Sequence, residues 1–383
     1  MRPARILHLI DSLGMGGAER GLAATLGHLD PGRFASEVAF LWGPDLLATA
    51  IHRLGIPVHR VRAPRGPGAL RAIEPVRRLL VRRRIDLIHT SVVWASIVGR
   101  IAGHRAGVKV VSHVTNVDPR GFQRAELSRA VGLKARAVAW LDEWTGARYV
   151  DRFVAITEAV REHPIRGGSW DRSKIVVVRR GQDLHALAAA ARGDPDPPIA
   201  DPGSPTILAV GRLSEQKGHR VLLEAMPKVL AELPRARLSV VGDGHLRGRL
   251  QKQAEPLGDR VAFLGIRRDV PALLARCDAF CFPSLWEGQG NALLEAMAVG
   301  APIVATSIPA VTETVRDGET AVLVPPGDPA ALADGLLRVL REPGESSVMA
   351  VKARLDATRF DIRQTTRDLE AVYDDVLRPT SSA

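Results

Sequence analysis

The chain has 383 residues, 46% hydrophobic and 25% charged, with Lys+Arg 53 against Asp+Glu 42 and a formal net charge of +11. That length and apolar content exclude a disordered or fibrous chain and suit two domains of ordinary size. The charge is uneven: residues 1–200 hold 31 basic and 18 acidic residues while 201–383 hold 22 and 24, which points to one basic patch and away from a nucleic-acid coat.

In chain order, short apolar runs at Arg5–Ile10, Ser36–Leu41, Asp86–His89, Lys109–Ser112, Phe153–Ile156 and Ile175–Val178 predict strands in the first half. Thr206–Val210, Arg237–Val241, Val261–Phe263, Ala279–Phe282, Pro302–Ala305 and Ala321–Val324 do so in the second. Amphipathic stretches at Ala18–Leu29, Ala69–Arg84, Val221–Leu233, Leu246–Glu255 and Ala330–Leu340 predict helices. This alternation builds parallel sheets with helices on both faces. GDPDPPIADPGSP at 193–205, with five prolines, reads as a linker. The expected organisation is therefore an N-terminal domain over 1–192, the linker over 193–205 and a C-terminal domain over 206–360. A last helix over 361–383 is expected to pack back toward the first domain. Both domains are expected to be α/β and doubly wound, with ligands held beyond the carboxyl ends of the strands in a cleft between the domains.

Cys277 and Cys281 lack the further ligands of a zinc site and read as buried thiols in a reducing compartment. Ile6–Ile10 is too short for a signal-peptide apolar region. The longest uncharged run, the 17 residues Ala296–Thr312, contains Gly300, Pro302 and Pro309. A membrane span needs about 20 apolar residues without such breakers. The expectation is a cytoplasmic protein, in contact at most with the inner face of the cytoplasmic membrane.

Three loops carry chemistry. SLGMGGAER follows the first strand and places Gly14, Gly16 and Gly17 before a helix, whose N-terminal N–H groups suit an anion. Its G-x-G-G spacing, with no acidic residue closing the second strand, disfavours a dinucleotide site. A plain tight turn is the competing reading. Thr206–Val210 runs into GRLSEQKGH, so Arg212 and Lys217 lie just beyond a strand end, where two cations suit a diphosphate leaving group. FPSLWEGQGNALLEAMA reads as a strand segment ended by Glu287, a loop opened by Gly288 and Gly290, and a helix from near Asn291 with Glu295 just inside it. The helix start suits phosphate oxygens, and the two carboxylates suit sugar or ribose hydroxyls. Taken alone, a helix-dipole carboxylate is the minority reading of Glu295.

Together with IDLIHTS, FVAITEAV, KIVVVRRGQD, VVGDGHL and VAFLG, these motifs resemble the family-four retaining glycosyltransferases, whose GT-B fold is two facing Rossmann-like domains. The specific combination is the E-x7-E pair Glu287 and Glu295 with GRL-x-x-x-KG. The resemblance implies transfer of a hexose-type sugar from a nucleotide diphosphate sugar to a hydroxyl acceptor, with retention of configuration. The acceptor would be a glycan, lipid-linked or small molecule, in cell-envelope glycan, glycolipid or natural-product biosynthesis. By the same resemblance Arg212 and Lys217 bind the donor diphosphate, Glu295 the ribose hydroxyls and Glu287 the donor sugar. Gly16, Gly17, Gly242, Gly288, Gln289, Gly290, Asn291 and Leu293 complete the donor site. No metal or cofactor is expected, and both Lys217→Ala and Glu295→Ala are expected to abolish transfer with the fold intact.

The chain departs from the family at three places. The family histidine is displaced: Thr115 stands in its slot and His113 two residues earlier, on the same face of an extended segment. A hydrogen-bonded strand-end histidine is the plainer reading of His113. Arg180 replaces an Asn before Gly181 and is expected near the cleft, meeting an anionic group of donor or acceptor, and Gln289 replaces a Phe, putting a polar amide beside the donor sugar. In the first half, 51–84 holds ten Arg against Glu74. Arg71, Arg78 and Arg82 on the expected Ala69–Arg84 helix, with Arg60, Arg62 and Arg65 before it, form a candidate surface for an anionic acceptor or membrane. A solvated Arg-rich face is the alternative. Trp140 and Trp144 are expected to put at least one ring in the core. The rival functions are a non-catalytic nucleotide-sugar-binding relative, a GT-B sugar-nucleotide epimerase and a nucleic-acid-binding protein. The last is disfavoured by the absence of any binding motif and by only 4% aromatics.

Overall fold

The computed structural model describes residues 2–14, 16–115, 129–166, 170–196, 199 and 203–378. Parts of the expected linker (197–198 and 200–202) and the end of the last segment (379–383) lie outside the described residues. The chain divides into two compact units, one of Met1–Gly181 with Ile362–Ala383, the other of Gln182–Asp361. It therefore leaves the first unit at Gly181, earlier than the expected 192. The helix Leu184–Ala190 belongs to the second unit, as do Asp194, which pairs with Arg276 at 2.8 Å, and the buried Ile199.

The first unit has seven strands: β1 (Ala4–Ile10), β2 (Phe34–Phe40), β3 (Val58–Arg60), β4 (Leu87–Ser91), β5 (Lys109–Val114), β6 (Arg152–Ala155) and β7 (Ile175–Val177). All pair in parallel, in the order β3-β2-β1-β4-β5-β6-β7. Side chains alternate across the sheet. Leu7 and Leu9 of β1 enter the core that Val76 and Leu80 of the helix Ile73–Arg82 share. Ile6 and Ile10 enter the opposite core, shared with Leu26 and with Leu369, Val372, Tyr373 and Val376 of the C-terminal helix Ile362–Leu377. That helix is anchored at its polar edge as well. Arg33 donates to Glu370 at 2.7 Å and to Asp374 at 2.5 Å, and Glu370 also accepts from the amide of Asp30.

The second unit repeats the plan with β8 (Thr206–Val210), β9 (Arg237–Val241), β10 (Val261–Gly265), β11 (Ala279–Phe282), β12 (Ile303–Thr306) and β13 (Val322–Val324), in the parallel order β10-β9-β8-β11-β12-β13. Cys277 and Cys281 are buried and unbridged here, with both thiols pushed far up by desolvation. In each sheet the strand order reverses direction beside the first strand, between β1 and β4 and between β8 and β11. The carboxyl ends of those strands flank a crevice, the ordinary ligand position of a doubly wound sheet.

Two helical expectations change. Ala69–Arg84 is not one helix: Gly66–Ala72 forms tighter 3-10 turns, and the α-helix begins at Ile73, so Pro75 sits in the first turn, where a missing N–H costs nothing. Neither Trp140 nor Trp144 reaches a core. They are 62% and 37% exposed and stack on each other with centroids 6.1 Å apart, Trp144 also lying under the Arg148 guanidinium. Among the described residues no helix is long and apolar enough to cross a membrane.

Candidate active site

In the second unit, the loops after β8 and β11 are joined into one structure. Gly211–Gly218 leaves β8, and Pro283–Gly290 leaves β11. Leu285 donates its amide to the Gln216 carbonyl at 2.8 Å, and Gln216 Nε2 donates to the Trp286 carbonyl at 3.0 Å. Gly218 has φ of +64°, and a Cβ there would sit 1.9 Å from the Pro283 carbonyl oxygen, so only glycine permits the approach. Where the loops meet, Lys217 Nζ donates to Glu287 Oε1 in an ion pair. Ser284 Oγ donates to the same oxygen at 2.9 Å, and Gln216 Nε2 lies 3.4 Å from the other. The ammonium also lies 5.5 Å from the centre of the Phe282 ring.

Glu287 does not end the strand. β11 stops at Phe282, and Glu287 lies in the loop, only 7% exposed. The loop then buries Gln289 (1% exposed) and turns at Gly290, φ +89°, into the helix Asn291–Val299. A Cβ at Gly290 would strike the Phe282 ring at 2.7 Å. Leu293 is buried, and Glu295 is 2% exposed in the second turn of the helix. Arg212, immediately beyond β8, is exposed, and among the described residues no ion pair engages it. Gly242 has its amide committed to the Gly265 carbonyl at 2.7 Å. Its contribution is close packing against Gly211, not a free N–H. The structure thus gathers Lys217, Glu287, Gly288, Gln289 and Gly290 at the carboxyl edge of the second sheet, on the loops that also carry Arg212, Asn291 and Glu295. Ser284 and Gln216 belong with them and gave no signal in the sequence beyond their place in the loops.

In the first unit, Gly16 and Gly17 open the helix Gly17–Leu26. The expected anion position is taken by the chain's own Glu19, which accepts from Ser12 Oγ at 2.9 Å and whose carboxylate lies where a Gly16 Cβ would reach. Asp11, just beyond β1, accepts from the Ala95 amide at 2.7 Å, and desolvation raises its carboxyl to about 6. The structure brings His113 and Arg180 to one cavity, which His8, His89, Gly21 and Thr365 also line. Desolvation, and secondarily the Arg180 charge, lowers His113 to about 3. His113 stacks on His89 at 5.3 Å, and His89 Nδ1 is hydrogen-bonded to the Tyr373 hydroxyl at 2.6 Å. The Nε2 atoms of His89 and His113 are buried, and among the described residues neither has a hydrogen-bond partner. Sequence reading reached His113 alone; His8 and His89 are invisible in it because they come from different strands.

The basic segment is less open than its charge suggests. Arg77 and Arg78 both donate to Glu74, and Arg83 is held by Glu37, itself 3% exposed, together with Arg5 and His59. Arg71 and Arg82 remain exposed, and among the described residues neither makes an ion pair.

Two doubly wound parallel-sheet units, one carrying cations and carboxylates on loops at its switch point, define a GT-B transferase. The family model for glycosyl transferases group 1 matches residues 204–342, and that for the glycosyl transferase 4-like domain matches 16–181. A UDP-Gal:alpha-D-GlcNAc-diphosphoundecaprenol alpha-1,3-galactosyltransferase of Escherichia coli is 30% identical over 278 residues, 70% of either chain. A phosphatidyl-myo-inositol mannosyltransferase of Mycobacterium tuberculosis is 34% identical over 212 residues, covering 53% of this chain and 55% of that one. The crystal structure of Anabaena HepE superposes with a TM-score of 0.80 at 23% identity, over 97% of this chain and 100% of that one. The chain belongs to the family-four, group 1 glycosyltransferases, and is a glycosyltransferase that uses a nucleotide sugar.

Proposed function

We propose that this protein transfers a hexose-type sugar from a nucleotide diphosphate sugar to a hydroxyl of a glycan or lipid-linked acceptor, with retention and without a metal. The observation that carries the reading is the joined pair of loops after β8 and β11. They hold a lysine on a buried glutamate, with an exposed arginine and a helix N-terminus on the same loops. Arg212 and Lys217 take the donor diphosphate, Glu295 the ribose hydroxyls, and Glu287 the sugar hydroxyls. Lys217 is placed by Glu287, so cation and sugar ligand act as one unit. In the reaction the bond from the anomeric carbon to the phosphate oxygen breaks as the acceptor oxygen bonds to that carbon on the same face. The acceptor proton passes to the leaving phosphate oxygen. The protein then contributes positioning and stabilisation of the leaving-group charge, for which fixed cations are the economical device. His113 and Arg180, on the cavity of the first unit, are proposed to face the transferred sugar or an anionic group of acceptor or donor. The relatives support the substrate classes: the Escherichia coli enzyme is named for a UDP sugar and a diphosphoundecaprenol-linked acceptor, and HepE was crystallised with UDP and with UDP-glucose. A place at the inner face of the cytoplasmic membrane follows from such an acceptor.

A panel of UDP-, GDP- and dTDP-sugars tests this, scored by protection against thermal unfolding, by slow hydrolysis and by proton NMR of the released anomer. One nucleotide should stabilise the protein, and hydrolysis of its sugar should release the donor's own anomer first, with chelator present. Stabilisation without turnover on any acceptor would make the protein a binding relative. Release of the opposite anomer would overturn retention.

A further inference from the structure

A second site lies in the first unit at the carboxyl ends of β2 and β3, away from the histidine cavity. Trp42, Gly43, Arg60, Arg62 and Pro64 line a concavity of about 470 Å³ there. Arg60 reaches across it: its guanidinium donates to the Gly43 carbonyl at 3.2 Å, lies over Phe40 at 5.5 Å and pairs with the exposed Asp45 at 3.8 Å. Arg65 comes to the same point, with one guanidinium nitrogen 3.9 Å from where a Gly43 Cβ would be. Arg62 is exposed and held at φ +59°, a conformation that non-glycine residues seldom adopt. Among the described residues neither Arg62 nor Arg65 makes an ion pair. Arg60 and Arg65 thus bring their guanidiniums to the Gly43 loop, Arg62 lines the same concavity on strained backbone, and one carboxylate, Asp45, pairs with Arg60. Like charges so arranged repel one another, and an anion relieves that repulsion. Planar guanidiniums match phosphate oxygens in pairs, and backbone strain retained in a site is an ordinary mark of binding.

We propose that this arginine concavity holds a phosphate or diphosphate group carried by the acceptor, with Trp42 against the adjoining part of the molecule. The proposal rests on the glycosyltransferase reading above and gives its acceptor a chemical class. The site is built from residues remote in sequence from Arg212 and Lys217, so the two anion sites can be separated by experiment.

The test is calorimetric titration of the full chain, with the nucleoside diphosphate that the panel above selects saturating the donor loops, using farnesyl diphosphate, inorganic pyrophosphate and farnesol as probes. Arg62→Gly and Arg60→Gln are compared with wild type and with Arg53→Gln, a charge-matched control at an exposed helical position. Farnesyl diphosphate should bind wild type and Arg53→Gln alike, and each site variant should weaken it by about tenfold or more. Arg62→Gly should do so with an unchanged or raised Tm, because glycine accepts the positive φ without strain. Pyrophosphate binding as well as farnesyl diphosphate would assign the site to the phosphates alone. Tighter binding of farnesyl diphosphate would assign it to a lipid-linked diphosphate. Farnesol binding as tightly as its diphosphate, or variants binding as wild type does, would overturn the proposal. So would loss in the variants of binding to phosphatidylglycerol vesicles while no soluble diphosphate binds wild type, which would make the loop a membrane contact. Stabilisation of wild type by one of UDP, GDP and dTDP alone reads the donor assignment independently, so either conclusion can fail without the other.

Discussion

The two units share a strand order and differ in what they bury. Beneath the first sheet lie His8, His89 and Tyr373, and on its other face Arg100, 2% exposed, donates to Ser112 at 2.8 and 3.0 Å and to Asp142 at 2.7 Å. The second unit's buried carboxylates and histidine, Glu287, Glu295 and His219, belong to the loops and helices beyond the strand ends, and the polar groups within its framework are hydroxyls such as Ser239 and Thr306. One unit thus keeps charged and histidine chemistry inside its framework, and the other confines it to the rim. A polar framework ties stability to protonation and to complete hydrogen bonding, whereas a polar rim leaves stability and chemistry nearly independent.

The sharpest way to break that contrast is at Arg100. Arg100→Ala takes away the cation beside Asp142 and two of the contacts of Ser112 and leaves a cavity in the core, and should destabilise the first unit by about 2–5 kcal/mol. Urea unfolding followed by hydrogen exchange should show the loss confined to first-unit peptides; an even loss over both units would end the comparison. On the rim, Arg212→Ala should lower kcat/KM by about 3–4 kcal/mol in transition-state terms while Tm stays at its wild-type value. Lys217→Ala should match it in activity but also lower Tm, since it leaves the buried Glu287 without its cation. The fold is therefore not indifferent to Lys217, as the sequence alone suggests it would be.

Acid should separate the units next. Desolvation lowers His8 to about 4, His113 to about 3 and His89 well below its ordinary 6.5, whereas among the second unit's described histidines only His219, at about 4, is shifted in this way. All four must stay neutral in the fold, while the unfolded chain takes up protons below 6.5. Each histidine therefore withdraws up to about 1.4 kcal/mol per pH unit as pH falls from 6.5 toward its folded value. Three such groups against one predict that first-unit peptides lose exchange protection first between about pH 6 and about pH 4.5. The reverse order would show that the polar framework is not the weak point. The smallest effect is expected from Tyr373→Phe, which removes the partner of His89 Nδ1 and should cost about 1–2 kcal/mol, read as a fall in Tm with donor binding unchanged.

Most of the fold was legible in the sequence because parallel strands buried on both faces are nearly continuous apolar runs, as in Thr206–Val210. β3 escaped because Val58–Arg60 is three residues long and ends in arginine. The donor loops were legible as motifs, but the Lys217–Glu287 pair joins positions 70 apart and depends on the crevice at the strand reversal. Local spacing cannot carry such information. Trp140 and Trp144 misled for a related reason: a helical spacing of four puts two rings on one face without saying whether that face is covered.

The C-terminal helix has a consequence for how the molecule comes to exist. Leu369, Val372 and Tyr373 are made after the whole second unit, yet they complete a core begun by β1. Gly181 and Ile362 meet so closely that a Cβ on the glycine would lie 2.5 Å from the Ile362 Cα, so the outgoing and returning strands pass side by side. During synthesis at the ribosome, the first unit must therefore wait with one flank of its sheet uncovered while residues 182–361 emerge and fold. The unit begun first is the last to be finished, and until then His8 and His89 face solvent instead of Tyr373.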